Sequence, residues 1–322
     1  MINGHGDDGY RYPRIVADFS SNICPGKNYQ LLMAYLATRP ELLGHYPEPD
    51  AGSLQRAIAE KEGIDPECVI VTGGATDAIY LLASIFVVES VIPQPTFSEY
   101  EDATNLFGAK RAEHSVIWIC NPNNPTGDVY QQHDIERMLD DHLMVVIDQS
   151  YEDYTDEFVM TARQATATPR VIQLHSFSKS YGVPGLRLGY ITASKEVTAY
   201  LRSRMRPWSV SALAVEAGKF LLEHDELRCR PDLNEAQRLR DRLSQIPHVL
   251  TQETKTNFML CQLEAGRASD LKEYLARQHG LLIRDASNFK GLTQCHFRVA
   301  AQSAREDDAL VDAIGEYVRM TL

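Results

Sequence analysis

The sequence predicts an α/β protein, in which a large domain with a mostly parallel, mixed sheet is followed by a smaller α+β domain. Three observations support this prediction. Short β-branched segments alternate with helix-like segments from about residue 52 to residue 193. After Met205 the pattern changes to long helical segments and then separated strands. The length of 322 residues suits about two domains of roughly 150 residues each.

The alternating part of the chain is typical of a parallel sheet covered by helices. Its predicted strands are residues 69–72, 91–93, 116–120, 144–148, 171–176 and 187–192, and its predicted helices are residues 54–62, 75–87 and 135–140. The later part contains predicted helices at 212–223, 234–245 and 304–320, with strands near 257–262, 281–284 and 296–299.

The order of these elements divides the chain. We predict an N-terminal arm at residues 1–26, a large domain at residues 27–205 and a small C-terminal domain at residues 206–322. The start of the arm is polar, contains glycine and is too short to fold alone, so we expect it to pack over the larger unit or a neighbouring subunit.

The composition excludes several classes of protein. A net charge of −12 argues against general binding to nucleic acid or to anionic membranes. The 6 cysteines form no Cys-x-x-Cys pair, so we expect neither a metal site nor a disulfide scaffold. The N-terminal residues contain no apolar core of a signal peptide, and no segment approaches the ~18 apolar residues of a membrane span, so we expect a cytoplasmic location.

Two of the predicted strands end in residues suited to binding charged groups. Residues 73–76, Gly-Gly-Ala-Thr, open a helix, so that free backbone N–H groups face an anion, although a simple tight turn is the alternative. Asp148 ends an apolar strand, where burial of a carboxylate is costly without a cationic partner. Asp148 therefore indicates a permanent positive charge nearby.

Two further loops carry unusual side chains. Residues 121–127, Asn-Pro-Asn-Asn-Pro-Thr-Gly, constrain the backbone with prolines and a glycine while presenting amide side chains. Lys179 follows the strand at 171–176 among small hydroxyl residues, and Arg187 follows it in the same loop. A lysine in this setting loses its proton readily and attacks carbonyl groups, although many loop lysines are simply solvated.

Together these motifs resemble the fold-type I pyridoxal-phosphate (PLP) enzymes, in the branch of threonine-phosphate decarboxylase and histidinol-phosphate aminotransferase. The resemblance spans most of the chain and is carried by NPNNPTG at 121–127, DQSY at 148–151, SFSKSYGVPGLRLGY at 176–190 and FRVA at 297–300. It implies the aspartate aminotransferase fold, with the large domain binding pyridoxal 5′-phosphate, and a homodimer with shared active sites.

The resemblance also assigns the catalytic residues. Lys179 is the amine that bonds to the cofactor and later moves protons at the substrate α-carbon. Asp148 pairs with the protonated pyridine nitrogen, and Asn124 and Tyr151 bind the ring hydroxyl oxygen.

The remaining cofactor contacts are also implied by the resemblance. Phe97 stacks on the ring, and nearby Tyr100 either shares that role or is a core tyrosine. Tyr46 reaches the cofactor phosphate from the opposite subunit, or else packs a turn before Pro47. The groups that hold this phosphate within the chain are Gly74, Ala75, Thr76, Ser176, Ser178 and Arg187.

The substrate contacts follow from the same resemblance. Arg298 grips the substrate carboxylate through two parallel hydrogen bonds, with a structural salt bridge as the alternative. Asn22 helps to orient that carboxylate, and His5 and Arg284 bind a substrate phosphate.

The implied reaction is decarboxylation of L-threonine O-3-phosphate to (R)-1-aminopropan-2-yl phosphate, for the cobalamin side chain. Residues 5–6 with 18–25, residues 207–210 and residues 282–292 look like the versions in that decarboxylase. The alternative is a histidinol-phosphate aminotransferase, which uses the same cofactor contacts. A non-catalytic ligand sensor is a third hypothesis, but Lys179 is present and no basic helix-turn-helix precedes the arm.

The chain departs from these relatives at two places. Asp7 and Asp8 stand where the relatives have the last two residues of His-Gly-Gly-Asn, and acids near a phosphate repel it unless they point away. Between His114 and Ser115 the relatives have an additional helical stretch, which is either deleted here or absent from the sequence. No predicted catalytic residue maps to that stretch.

Overall fold

The computed structural model of the chain describes residues 6–24, 29–110 and 114–321. Its strands are β1 Ala17–Asp18, β2 Val69–Thr72, β3 Ser90–Val91, β4 Val116–Cys120, β5 Met144–Asp148, β6 Val171–Ser176, β7 Gly189–Ala193, β8 Val249–Thr251, β9 Phe258–Leu263, β10 Leu281–Leu282, β11 Arg284–Asp285 and β12 His296–Ala300.

The described helices are α1 Gln30–Ala37, α2 Gly52–Glu62, α3 Ala75–Ile85, α4 Glu99–Leu106, α5 Gln132–Asp141, α6 Ala162–Thr166, α7 Phe177–Ser180, α8 Lys195–Arg202, α9 Ala212–Glu223, α10 Leu233–Ser244, α11 Ala268–Tyr274 and α12 Ala304–Thr321. Helix α11 continues into a π-helical turn at Leu275–His279.

The larger sheet has six strands in the order β2-β7-β6-β5-β4-β3. Strand β7 runs antiparallel to both of its neighbours, and the other pairs are parallel. Every residue of β4, β5 and β6 is buried, as expected for strands covered on both faces. The carboxyl ends of these three strands meet at one edge, where Cys120 pairs with Asp148 and Asp148 with Leu174. The predicted mostly parallel, mixed sheet is confirmed.

The smaller sheet is antiparallel, with four strands in the order β11-β12-β9-β8. Helices α10, α11 and α12 contribute Leu239, Leu271 and Leu310 to the core beside this sheet, where they pack with Phe297 of β12. Burial of such side chains stabilises the unit by roughly 1.5–3 kcal/mol each. The sequence prediction of an α+β arrangement after Met205 agrees with these elements.

The arm packs differently from the sequence expectation. Its strand β1 pairs in parallel with β10 beside the smaller sheet, rather than with the larger unit. Phe19 extends this pairing, since its N–H donates to the Leu282 carbonyl and its own carbonyl accepts from the Ala300 N–H. The physical reason is that Ala17 and Phe19 are apolar and enter the core of the smaller unit. Residues after β1 contact the larger unit, since the Ser21 carbonyl accepts a hydrogen bond from Lys179.

Several predicted strands have slightly different limits in the structure, and for two of them the reason is clear. The strand predicted at 187–192 begins at Gly189, because Arg187 adopts left-handed backbone with φ 51°. The strand predicted at 281–284 is divided into β10 and β11, which pair with β1 and β12 respectively. Among the described residues, no helix has the length and apolar character needed to cross a membrane.

A buried ion pair anchors the arm to helix α11. Lys272 Nζ donates to both carboxylate oxygens of Asp8, at 2.8 and 2.7 Å, and both side chains are nearly inaccessible. We expect Lys272→Ala to lower the free energy of unfolding by about 3 kcal/mol, because buried Asp8 then keeps only the long contact of 3.9 Å to the exposed Arg11. Urea unfolding followed by circular dichroism measures this loss. The control is Lys290→Ala, which removes an exposed ion pair with Glu101 and should cost less than about 1 kcal/mol. Equal losses in the two variants would contradict this prediction.

Candidate active site

Two adjoining cavities lie where the carboxyl edge of the larger sheet meets the arm and the smaller unit. They have volumes of about 250 and 170 Å³ and share the side chains of Phe97, Asn124, Tyr151 and Lys179. The inner cavity is also lined by residues that follow strands of the larger sheet: Ala75, Thr76, Asp148, Ser176, Ser178 and Arg187. The outer cavity is also lined by residues of the arm and the smaller unit: Gly6, Asp7, Ser20, Ser21, Ile23, Arg284, Asn288, Phe289 and Arg298.

Lys179 stands between these two cavities. It lies on the short helix α7, directly after β6, and its Nζ donates to the Ser21 carbonyl at 2.6 Å. The ammonium is also 5.6 Å from the centre of the Tyr151 ring. Burial lowers the pKa of Lys179 to about 8, helped by the positive charge of Arg298 and opposed by Asp7 and Asp18. The amine therefore becomes neutral far more readily than an ordinary lysine, as a carbonyl-directed nucleophile requires.

Asp148 is a buried carboxylate at the end of β5. One oxygen accepts from the Tyr100 hydroxyl at 2.7 Å, and the other accepts from the Ser150 N–H at 2.9 Å. No Lys, Arg or His in the described ranges forms an ion pair with it. A carboxylate that is only 4% exposed and is held only by neutral donors calls for a cation from the cavity side, which a protonated pyridine nitrogen supplies.

Tyr100 is a core tyrosine in the structure, which was one of its two predicted roles. Its ring is 1% exposed, stacks on Trp118 and meets Phe97 edge-on, while its hydroxyl orients Asp148. Burial and the charge of Asp148 raise the pKa of Tyr100, so the hydroxyl stays a donor. This hydrogen bond was not predicted from the sequence, because no spacing in the sequence relates residue 100 to residue 148.

A further group of polar side chains surrounds Arg298. Its guanidinium donates to Asn124 Oδ1 and to the Ser20 carbonyl, while its Nε has no hydrogen-bond partner in the part of the chain that is described. Asn22 Nδ2 lies 3.4 Å from the Tyr151 hydroxyl, and Asn22 Oδ1 is buried without a partner among the described residues. Burial raises the pKa of Tyr151 to about 12, so this hydroxyl is protonated at neutral pH. The unmet Arg298 Nε–H fits an oxygen atom of a ligand, and the unmet Asn22 Oδ1 fits an N–H or O–H donor.

The start of helix α3 forms a cradle for an anion. Gly74 has φ 96°, and a Cβ there would lie 3.0 Å from a guanidinium nitrogen of Arg187, so glycine lets the guanidinium approach the helix end. Ala75 and Thr76 are the first residues of the helix, and they line the inner cavity together with Ser176 and Ser178. Ser178 Oγ is buried without a partner in the described chain. A phosphate dianion fits these donors.

Arg284 and Arg298 are directly opposed on the neighbouring strands β11 and β12. The guanidinium of Arg284 donates to Asn288 Oδ1 at 2.8 Å and lies 5.2 Å from the centre of the Phe289 ring. Burial and the nearby positive charge of Arg298 together lower the pKa of Arg284 to about 10. Two buried guanidinium groups this close favour a ligand with two anionic groups.

The structure does not bring every predicted residue into the site. Tyr46 is 85% exposed, packs its ring near Trp208 and lies outside both cavities of the single chain. His5 lies outside the described residues. The cavity residues that the sequence analysis did not name include Ser20 and Ser21, which act through backbone carbonyls that no side-chain motif reveals.

Comparison with known proteins agrees with this geometry. A family model described as "Aminotransferase class I and II" matches residues 108–314. The putative threonine-phosphate decarboxylase of Caldanaerobacter subterraneus is 31% identical over 96% of this chain and 92% of its own length. The threonine-phosphate decarboxylase of Salmonella typhimurium is 26% identical over 94% of this chain and 91% of its own. A histidinol-phosphate aminotransferase of C. subterraneus is 27% identical over 84% of each chain.

The chain is also similar to solved structures of a threonine-phosphate decarboxylase and a histidinol-phosphate aminotransferase. The L-threonine-O-3-phosphate decarboxylase of Porphyromonas gingivalis superposes with a TM-score of 0.89 at 33% identity, covering 94% of this chain and all of that one. The histidinol-phosphate aminotransferase of Clostridium acetobutylicum has a TM-score of 0.84 at 21% identity, covers 95% of this chain and all of that one, and supports the fold alone. The chain belongs to the class I and II aminotransferase family of fold-type I enzymes, whose cofactor is pyridoxal 5′-phosphate, in the branch that contains threonine-phosphate decarboxylases and histidinol-phosphate aminotransferases.

Proposed function

We propose that the enzyme decarboxylates L-threonine O-3-phosphate to (R)-1-aminopropan-2-yl phosphate, which serves cobalamin biosynthesis. The observation that carries this proposal is the pair Arg284 and Arg298, which face one cavity beside Lys179. Two guanidinium groups match the carboxylate and the phosphate of one substrate, and the amine of that substrate is left for the Lys179 end. The similarity to threonine-phosphate decarboxylases supports the same choice.

The cofactor-binding residues are part of this proposal. Lys179 would bond to the cofactor, Asp148 would hold a proton on its pyridine nitrogen, Asn124 and Tyr151 would bind its ring oxygen, and Phe97 would cover the ring. The phosphate is held by Gly74, Ala75, Thr76, Ser176, Ser178 and Arg187, with Tyr46 contributed by a second subunit. When bound, pyridoxal 5′-phosphate draws electrons away from the substrate α-carbon.

The chain's own residues then direct the reaction. Arg298 holds the substrate carboxylate in one orientation, so that the bond from the α-carbon to this carboxylate breaks and carbon dioxide leaves. The electron pair of the broken bond, which the bound cofactor would draw away from the α-carbon, finally takes up a proton that Lys179 Nζ delivers to this carbon. Arg284 holds the phosphate at the far end of the cavity, and Asn22 and His5 are proposed to assist the two arginines.

The histidinol-phosphate aminotransferase activity is the second candidate, because enzymes of that name match 84% of this chain. It needs the same residues around Lys179 and also takes a phosphorylated amine. The two activities differ in the bond that breaks at the α-carbon and in the need for a keto acid.

Three sequence predictions stay predictions within this proposal. They are the division at residues 1–26, 27–205 and 206–322, the homodimer with shared active sites, and the cytoplasmic location. The exposed Tyr46 and Trp208 support the second of these, because an exposed aromatic pair suits an interface.

The test of the activity is carbon dioxide release from threonine phosphate without any keto acid. We expect steady release by the loaded enzyme and a loss of at least about 1,000-fold in Lys179→Ala, because the amine is then missing. Loss of cofactor absorbance that only 2-oxoglutarate restores, with histidinol phosphate as the donor, would contradict the proposal and support the aminotransferase.

The role of Arg284 can be tested separately. Replacing it by glutamine removes a charged hydrogen bond to the phosphate, so we expect KM for threonine phosphate to rise roughly 10- to 100-fold while kcat changes little. Steady-state kinetics measure both constants. The matched control is Arg277→Gln, which removes an exposed arginine that pairs with Glu273. An unchanged KM in Arg284→Gln would contradict the proposed phosphate contact.

The lowered pKa of Lys179 predicts a pH dependence for cofactor capture by the apoenzyme. The neutral amine reacts, so the rate should rise about tenfold per pH unit below about pH 8 and level off above it. Stopped-flow absorbance follows this reaction. Arg298→Gln removes a positive charge that helps burial to lower the pKa of Lys179, so the plateau of the capture rate should move to higher pH. A profile that is flat from about pH 6 to about pH 9 would contradict the assignment.

A further inference from the structure

The arm places two neighbouring acids in different surroundings. Asp8 points to the smaller unit, where Lys272 neutralises it. Asp7 lines the outer cavity together with Lys179, Arg284 and Arg298. Asp8 is thus already paired with a lysine, whereas the charge of Asp7 faces the cavity.

Asp7 is held firmly in this position. Its backbone adopts left-handed geometry with φ 60°, and its N–H donates to Ser20 Oγ at 2.9 Å. Ser20 is fixed in turn by Asp18, which accepts from both the N–H and the hydroxyl of Ser20. Gly6 lies so close that a Cβ there would meet the Ser20 carbonyl at 2.6 Å. The backbone of Asp7 is thus an ordered turn, and its exposed side chain stands at the cavity.

Hydrogen bonds to two adjacent serines place Asp7 near Lys179, since the Asp7 N–H donates to Ser20 Oγ and Lys179 Nζ donates to the Ser21 carbonyl. Burial and the negative charge of Asp18 raise the pKa of Asp7, and Lys179 is the cation that acts on it most strongly in the opposite direction. The principal charges acting on Arg284 are Arg298, Asp285 and Asp8. Asp7 therefore stands beside Lys179 in the outer cavity, and its carboxylate favours a further cation at that place.

We propose that Asp7 is a further substrate-binding residue, whose carboxylate receives the α-ammonium group of the incoming amino acid beside Lys179. The cavity then carries a negative group at the Lys179 end, followed by Arg298 and Arg284. This order matches the ammonium, carboxylate and phosphate of a phosphorylated amino acid. The inference rests on the proposed function and deepens it, since it selects substrates with a free amine over other phosphorylated acids.

The test compares two ligands in the loaded enzyme. One is threonine phosphate, and the other is the 2-hydroxy analogue of this substrate, used as a competitive inhibitor without an amine. For Asp7→Asn we expect KM for threonine phosphate to rise roughly 10-fold or more, because a charged contact is lost. The inhibition constant of the hydroxy analogue should stay within about twofold, since this ligand never made that contact.

The other outcomes overturn the inference. If both constants fall, Asp7 repels the anionic groups, and if both rise equally, it only shapes the arm. Asp8→Asn is the structural control, which should lower the melting temperature and leave the ratio of the two constants unchanged. Carbon dioxide release by the wild-type enzyme tests the proposed function separately. If it fails, the same comparison is made with histidinol phosphate and its deaminated analogue, because this substrate also pairs an amine with a phosphate.

Discussion

The active site depends on two hydrogen bonds that join its cations to the backbone of the arm. Lys179, from the larger unit, donates to the Ser21 carbonyl, and Arg298, from the smaller unit, donates to the Ser20 carbonyl. Adjacent residues of one segment thus bind side chains from both sheets. Because the preceding strand β1 is paired with β10, this segment is held on the smaller unit and sets the separation of the two cations.

The site concentrates buried charge that the protein alone does not neutralise. Among the described residues, Asp148 has only neutral donors, and the guanidinium of Arg298 keeps an unmet Nε. Burial of such groups costs free energy in the absence of a ligand. The same arrangement favours a cofactor with a protonated ring nitrogen and a substrate with anionic groups, because each bound charge meets an opposite one. These groups therefore lower the folding stability of the protein while they serve binding and catalysis.

The fold explains why relatives with different reactions share this site. The carboxyl edge of the larger sheet supplies Asp148, Ser176 and Lys179 through strands whose register is fixed by backbone hydrogen bonds. The groups that meet the substrate come instead from the arm and from the opposed pair on β11 and β12. Changes in those segments alter the substrate and its orientation without disturbing the cofactor.

The sequence by itself determined the larger sheet and the residues that follow its strands, because apolar periodicity and short motifs are local properties. It predicted the unusual state of Lys179 and the unpaired charge of Asp148 from their neighbours in the chain. Only the tertiary structure showed that the arm pairs with β10, that Tyr100 binds Asp148, and that Asp7 and Asp8 face different partners. These contacts join residues far apart in the chain through backbone groups and packing, and no local pattern of residue types encodes them.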